Sequence, residues 1–175
     1  MLPPHAPPSF SDRSTLWNSV EQTEKSNNSQ LAREIELALP VELSREEQTR
    51  LVREYCSSQF VSKGMCADFN IHDTGSGNPH AHILLTMRPL DEKGAWAAKS
   101  KKEYVLDESG EKILLPSGRY KTRKIDLMDW NRQENADLWR KAWADMANDF
   151  LEQNGSAERI DHRSNAERGI DEIPT

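Results

Sequence analysis

The chain lacks the residues that mark several classes of protein. It has two cysteines, Cys56 and Cys66, which are too few and wrongly spaced for a disulfide framework or a Cys-x-x-Cys site. No run approaches the roughly 18 apolar residues of a membrane span. The proline-rich start also lacks the basic and apolar regions of a signal peptide. We therefore expect a soluble, cytoplasmic protein with two buried thiols and no membrane partner.

Apolar residues are also scarce. Hydrophobic residues make up 35% of the 175 positions and charged residues 30%, so the core should be modest. This length suits one domain, and we expect a single domain over residues 1–175. The net charge of −6 argues against binding nucleic acid over the whole surface.

Basic residues concentrate in one segment of this acidic chain. Residues 99–124 hold eight basic and four acidic side chains, a net charge of +4. With Trp96, Tyr104 and Tyr120 interleaved, such a segment can follow a phosphate backbone and stack on bases. A solvated hairpin is the alternative, and either way we expect an inserted basic hairpin at 95–125. The candidate DNA-binding residues are Lys99, Lys101, Lys102, Arg119, Lys121, Arg123 and Lys124.

Three of the five histidines, His72, His80 and His82, lie close together in sequence. Because side chains alternate along a strand, His80 and His82 point the same way, about 6.6–6.8 Å apart. The Gly- and Asn-rich link at 73–79 is short enough for a hairpin that brings His72 beside them. Three neutral imidazoles would leave coordination positions open, as in a catalytic metal site. Surface histidines without a ligand are the alternative.

The hydrophobic pattern predicts both helices and strands, with the histidine hairpin at the centre of the sheet. Capping boxes at Ser44 with Glu47 and at Asn131 with Glu134 mark two helix starts. The predicted order is a helix at 16–25, a strand at 31–39, a helix from 44 to 64, strands at 66–72 and 80–87, a hairpin with strands at 103–106 and 112–115, a helix from 131 to 155, and a last strand at 159–163.

Several segments resemble the MobA/MobL conjugative relaxases. They are Arg33-Glu-Ile-Glu-Leu-Ala-Leu-Pro, Asn78-Pro-His-Ala-His-Ile-Leu-Leu-Thr, Asp129-Trp-Asn and Ile160-Asp-His-Arg-Ser. They lie in matching order, and the resemblance covers nearly the whole chain. It implies an α+β fold with a central antiparallel β-sheet and flanking helices. It also implies an HUH-type endonuclease and transesterase that nicks single-stranded DNA at a plasmid transfer origin. It also implies a bacterial cytoplasmic location, accessory mobilisation proteins and a type IV secretion coupling protein.

The resemblance also implies roles for particular residues. The three histidines would carry a divalent ion, manganese or magnesium in use, although nitrogen ligation also suits zinc. Glu34 and Glu36 share one face of their strand, where they would orient a ligand imidazole or relay a proton. Two exposed glutamates are the alternative. Asp73 is a candidate partner of His72, and Asn78 is expected to fix the turn into the metal strand.

One family feature has no match here. The nucleophilic tyrosine of the family precedes the Ala6-Pro-Pro segment, at which this chain begins. Tyr55 falls within a helix, and Tyr104 and Tyr120 belong to the basic segment. We interpret the chain as a relaxase domain without its first strand and tyrosine. A metal-dependent phosphoester hydrolase that uses bound water and a DNA-binding remnant that cuts nothing are the alternatives.

Overall fold

A three-stranded antiparallel sheet forms the centre of the computed structural model, which describes residues 1–75 and 77–171. Its strands are β1 (Ala32–Ala38), β2 (Ala67–His72) and β3 (His80–Thr86), in the order β1-β3-β2. The predicted hairpin forms, because β2 pairs with β3 and places His72 directly opposite His80. Together with three helices, this sheet confirms the predicted α+β class.

The helices are α1 (Arg13–Thr23), α2 (Arg45–Gln59) and α3 (Glu134–Gln153). The main core gathers α2, α3 and one face of the sheet, on which Ile83 and Leu85 are fully buried. Since side chains alternate along β3, the histidines lie on the other, open face. Within the described ranges, no helix is long and apolar enough to cross a membrane.

α1 covers the far end of the open face. The Asp68 carboxylate on β2 accepts hydrogen bonds from Arg13 Nε at 2.6 Å and from Trp17 Nε1 at 3.0 Å. These bonds tie the helix to the sheet. They are made at Asp68, four residues before His72 on β2, so α1 is held at the opposite end of the strand from the histidines.

The two predicted capping boxes had different outcomes. At α2, the Ser44 hydroxyl accepts from Glu47 N while the Glu47 carboxylate accepts from Ser44 N, as predicted. At α3 the prediction was wrong, because the helix begins at Glu134 with Gln133 as an N-cap whose side chain makes no capping bond. The Asn131 side chain instead accepts from Arg33 Nη2 at 2.6 Å.

Two other predicted elements differ from the structure. Residues 159–163 form no strand; Ile160 is held by reciprocal bonds with the Asn148 side chain. The strands predicted at 103–106 and 112–115 are largely replaced by β4 (Ser100–Tyr104) and β5 (Thr122–Asp126), which pair with each other. The expected turn at Asp107–Gly110 does form, but only one bridge closes it, between Leu106 and Lys112.

The same turn occurs three times between residues 90 and 120. Each copy is closed by an isolated bridge between residues six apart, at Leu90–Trp96, Leu106–Lys112 and Leu114–Tyr120. In each copy the fifth residue is a glycine with positive φ, between 76° and 83°. The last two copies extend the ribbon of β4 and β5. We call residues 99–126 the basic arm.

Candidate metal centre

Three imidazole rings converge on the open face of the sheet. The ring centroids of His72, His80 and His82 are 4.6 to 5.6 Å apart. One nitrogen from each ring lies within 4.8 Å of the other two. Nitrogens on one zinc-sized ion lie about 3–4 Å apart, given bonds of roughly 2.1 Å. A small closing rotation of the side chains is therefore enough to coordinate one ion.

Hydrogen bonds orient two of these rings. His80 Nδ1 lies 3.0 Å from the backbone carbonyl of Asn78, and because a carbonyl only accepts, this nitrogen donates. His82 Nδ1 lies 2.8 Å from Glu34 Oε1. In both rings Nδ1 is directed at an acceptor, so Nε2 is the nitrogen left for a ligand.

The two glutamates of β1 occupy different positions in the site. Glu34 contacts the Nδ1 side of His82, away from the Nε2 lone pair. Glu36 lies opposite His82 in the strand register, and its Oε1 is 4.0 Å from His80 Nε2. The Glu36 carboxylate is thus near the Nε2 atom of His80, on the side of the cluster where a metal ion or a reacting group would lie.

The other two residues named from the sequence shape the link between β2 and β3. Asp73 Oδ1 accepts a hydrogen bond from Gly75 N at 2.9 Å, which forms a turn directly after His72. Asn78 contributes its backbone carbonyl to His80, so its contact does not depend on the amide side chain. The spacing of side chains gives no signal for such a contact.

Among the described residues, none of the three tyrosines belongs to the histidine cluster. Tyr55 is fully buried on the opposite face, where its hydroxyl donates to Trp139 O at 3.0 Å. Burial raises the pKa of this phenol, which makes it a poor nucleophile. Tyr104 and Tyr120 lie on the basic arm and are about half exposed.

The candidate DNA-binding residues of the arm fall into three groups. Lys99 holds the base of the arm in place, with Nζ 2.7 Å from Glu24 Oε1 and 2.9 Å from Gln30 O. Arg123 and Lys124 form exposed ion pairs with Glu103 and Asp126. The other candidates have exposed side chains: Lys101, Lys102, Arg119 and Lys121.

The arm also carries an exposed aromatic cluster. Tyr104 and Tyr120 meet edge to face at 5.8 Å, and Lys112 Nζ lies 4.0 Å from the Tyr104 ring centroid. Lys112 and Tyr120 each close a copy of the repeated seven-residue turn, whose glycine spacing is visible in the sequence. Trp96 is excluded from this surface, because it stacks on Phe10 at 5.4 Å and donates to Ser19 Oγ.

Like charges face each other across the arm. The register of β4 and β5 pairs Lys102 directly with Lys124. Such a pair is unfavourable for folding and becomes favourable when an anion lies against it. Asp126 offsets part of this repulsion, because its Oδ1 lies 2.8 Å from Lys124 Nζ.

Residues 1–175 match the MobA/MobL family. The chain belongs to the MobA/MobL family. It is 35% identical to the probable mobilization protein MobA of Bifidobacterium longum, over all of this chain and 33% of that protein. It is 39% identical to the conjugal transfer protein TraA of Agrobacterium fabrum, over 91% of this chain and 14% of that protein.

A solved structure extends the likeness to the fold. The structure described as the molecular basis of vancomycin resistance transfer in Staphylococcus aureus superposes with a TM-score of 0.76 and 35% identity. The match covers 94% of this chain and 73% of that one. This MobA/MobL chain thus spans most of that structure, but a third or less of the lengths of the two relatives named above.

Proposed function

We propose that this chain is the metal- and DNA-binding part of a relaxase that nicks one strand of DNA at a plasmid transfer origin. The observation that carries the proposal is the convergence of His72, His80 and His82 on the open face of a MobA/MobL domain. Conjugal transfer needs one strand cut while its new end stays attached to protein. A transesterification achieves both in one step.

The residues present fit a divalent ion. His80 and His82 would present Nε2, and His72 would complete the set, with manganese or magnesium as the working ion and zinc as an alternative. Such an ion would neutralise charge on the phosphate and strengthen the electrophile. Glu34 holds the His82 ring, and the Asn78 carbonyl holds the His80 ring.

The nucleophile would be a tyrosine outside these 175 residues. Its oxygen would form a bond to phosphorus as the bond from phosphorus to the 3′ oxygen breaks, so no water is consumed. Glu36 is placed on the open side of the cluster, where its carboxylate can accept the phenol proton. The resulting 5′ phosphotyrosine would remain joined to the protein.

The basic arm would bind the strand next to the cleavage point. Lys101, Lys102, Arg119 and Lys121 would contact phosphates. Tyr104 and Tyr120 offer exposed rings for base stacking. The overall charge of −6 would restrict DNA binding to this surface.

The first test is calorimetric titration of Mn²⁺ and Zn²⁺. The chain should bind about one ion, and a His80→Ala, His82→Ala variant should not. The matched control is a His5→Ala, His162→Ala variant, which removes two histidines outside the cluster and should bind as the original does. The metal assignment would be overturned if the control variant lost binding, or if the His80→Ala, His82→Ala variant still bound the ion.

The second test couples metal to DNA. If the ion contacts a phosphate, Mn²⁺ raises the affinity for a labelled single-stranded oligonucleotide, and DNA raises the affinity for Mn²⁺ by the same factor. This coupling should vanish in the His80→Ala, His82→Ala variant, while metal-independent binding persists. Strand cleavage by the chain alone, without a protein adduct, would favour the hydrolase. DNA binding with no coupling would favour a non-catalytic remnant.

A further inference from the structure

We propose that Glu24 is a positioning residue for DNA binding, because its carboxylate fixes the direction in which the basic arm leaves the domain. The arm then presents its lysines to the same DNA strand that reaches the histidine cluster. This inference rests on the proposed function, which places DNA on the arm, and it adds the residue that orients the arm.

Strand pairing does not join the basic arm to the central sheet. Within the described ranges, β4 and β5 pair with each other, in a sheet separate from that of β1, β2 and β3. An isolated two-stranded hairpin is only marginally stable in water. Side-chain contacts at the base of the arm can therefore decide both its order and its direction.

The outgoing and returning segments of the arm meet at its base. The outgoing segment passes Lys99, and the returning segment passes Leu127, whose N–H donates to Lys99 O at 2.9 Å. Lys99 Nζ lies 2.7 Å from Glu24 Oε1 and donates to Gln30 O at 2.9 Å. The Lys99 side chain thus joins the arm to the end of α1 and to the segment before β1.

Arg88 is a second cation on the same carboxylate oxygen. Its Nε donates to Glu24 Oε1 at 3.1 Å, and its Nη1 donates to Ala97 O at 2.8 Å. The side chain of Glu24 is 6% exposed, so these bonds are largely shielded from water. Hydrogen bonds between charged groups are shorter and stronger than neutral ones. One nearly buried carboxylate therefore holds two side chains that fix the outgoing segment.

α1 carries Glu24 in a fixed relation to the histidine cluster. Glu24 is the C-cap residue of this helix. Near the other end of the helix, Arg13 and Trp17 donate to the Asp68 carboxylate on β2, the strand that ends at His72. The helix is thus tied to the sheet at one end and to the arm at the other.

Charge alone predicts the opposite effect of removing this carboxylate. Glu24→Gln deletes a negative charge beside the arm and frees the Lys99 ammonium. If Lys99 then bound a phosphate, DNA binding would tighten, and the slope of log K against log salt would steepen by about 0.7. If Glu24 positions the arm, binding weakens, because a loosened arm must be ordered on the DNA. The slope then stays the same, because the number of phosphate contacts does not change.

The first test compares Glu24→Gln with Glu21→Gln, which makes the same change of charge at an exposed residue of the same helix. Fluorescence anisotropy with a labelled single-stranded oligonucleotide, without metal, measures the affinity of both variants after each is confirmed folded. We expect Glu24→Gln to bind about 3- to 10-fold more weakly with an unchanged salt slope. Glu21→Gln should bind as the original chain does. Equal or tighter binding by Glu24→Gln would overturn the proposal.

Residual dipolar couplings measure the direction of the arm in the absence of DNA. In the ¹⁵N-labelled original chain, the amides of β4 and β5 should fit the same alignment tensor as those of β1, β2 and β3. In Glu24→Gln the arm should require a tensor of its own, because it moves relative to the sheet. A single tensor for both sets of amides in Glu24→Gln would contradict the positioning role.

Leu127→Pro loosens the same base without a change of charge, and it serves as the test if Glu24→Gln does not fold. Leu127 is 48% exposed, and proline removes the N–H that donates to Lys99 O. We expect weaker DNA binding with an unchanged salt slope, as for Glu24→Gln. Binding as tight as that of the original chain would show that the base does not orient the arm.

A variant with Lys101, Lys102 and Lys121 changed to alanine separates this inference from the proposed function. If it binds the oligonucleotide as the original chain does, the arm is not the DNA-binding surface, and the proposed function fails on this point together with the inference. If it loses affinity while Glu24→Gln does not, the arm binds DNA and the positioning role alone fails.

Discussion

Glu34 Oε1 lies 2.8 Å from His82 Nδ1, so a carboxylate on one strand fixes the ring of a histidine on the next. The two residues are not paired directly in the register, since Glu34 faces Leu84 and His82 faces Glu36. The bond is a diagonal contact on the open face. It leaves Nε2 as the nitrogen of His82 that is open to a ligand.

Glu34→Ala should weaken metal binding about 10–100-fold, because the His82 ring loses the partner that orients it. Glu34→Gln keeps an acceptor and should lose less. Calorimetric titration with Mn²⁺ measures both, and Glu42→Ala, an exposed residue after β1, is the control. Unchanged affinity in Glu34→Ala would show that the bond has no part in metal binding.

Glu24 holds the base of the basic arm and should make stability depend on pH. Its side chain is 6% exposed, and Lys99 and Arg88 lie 2.7 and 3.1 Å from the same oxygen. Burial opposes the charge, but the bonds from Lys99 and Arg88 outweigh it and lower the pKa of Glu24. A carboxyl whose pKa is lower in the folded than in the unfolded protein stabilises the fold at a pH above its unfolded pKa. This stabilisation is lost as the pH falls through the folded pKa.

We therefore expect Glu24→Gln to cost about 2 kcal/mol at neutral pH. The deficit should shrink as the pH falls below the ordinary value of 4.5. Urea unfolding across this pH range measures it, with Glu21→Gln on the exposed side of α1 as control. A deficit that grows in acid would reverse the sign and disprove the assignment.

Replacing Lys101, Lys102 and Lys121 with alanine should weaken DNA binding and flatten its salt dependence. Each phosphate contact contributes about 0.7 to the slope of log K against log salt for single strands, so the slope should fall by about 2. Fluorescence anisotropy at several salt concentrations measures it. The control is a variant with Lys25, Lys63 and Lys141 changed to alanine, which alters the net charge equally. An equal fall of the slope in this control would show that the arm is not the DNA-binding surface.

Two glycines of the repeated turn provide a matched pair. Gly94 and Gly110 have φ of 76° and 83°. A Cβ at Gly94 would lie 2.9 Å from His5 O, whereas one at Gly110 would meet nothing within 4 Å. Both alanine variants should lose roughly 1–2 kcal/mol to backbone strain. Gly94→Ala should lose more, seen as a larger fall in Tm, and equal losses would contradict the close approach to the N-terminal segment.

The sequence pattern predicted a feature correctly where that feature depends on neighbouring residues alone. The alternation around His80 and His82 predicted a strand with both rings on one face, and the short link predicted the hairpin that returns His72. The capping box at Ser44 was correct for the same reason. Each depends on residues within a few positions of one another.

The failures share a different cause. Asn131 has the right spacing for a helix cap, but its side chain accepts a hydrogen bond from Arg33 on β1 instead. Residues 159–163 have a strand-like pattern, but they pair with no described strand, and the Asn148 side chain bonds to the backbone of Ile160. In the arm, Ser100–Tyr104 pairs with Thr122–Asp126 across the intervening turns, a longer-range pairing than the hairpin predicted.

The sequence by itself determined the α+β class, the three converging histidines, the basic segment and the membership of the MobA/MobL family, because these follow from periodicity and motif order. Only the tertiary structure decided that Glu34 orients His82 while Glu36 faces the open side, and that Lys99 anchors the arm to Glu24. Such contacts join residues far apart in the chain. They depend on strand register and side-chain direction, which composition and spacing do not specify.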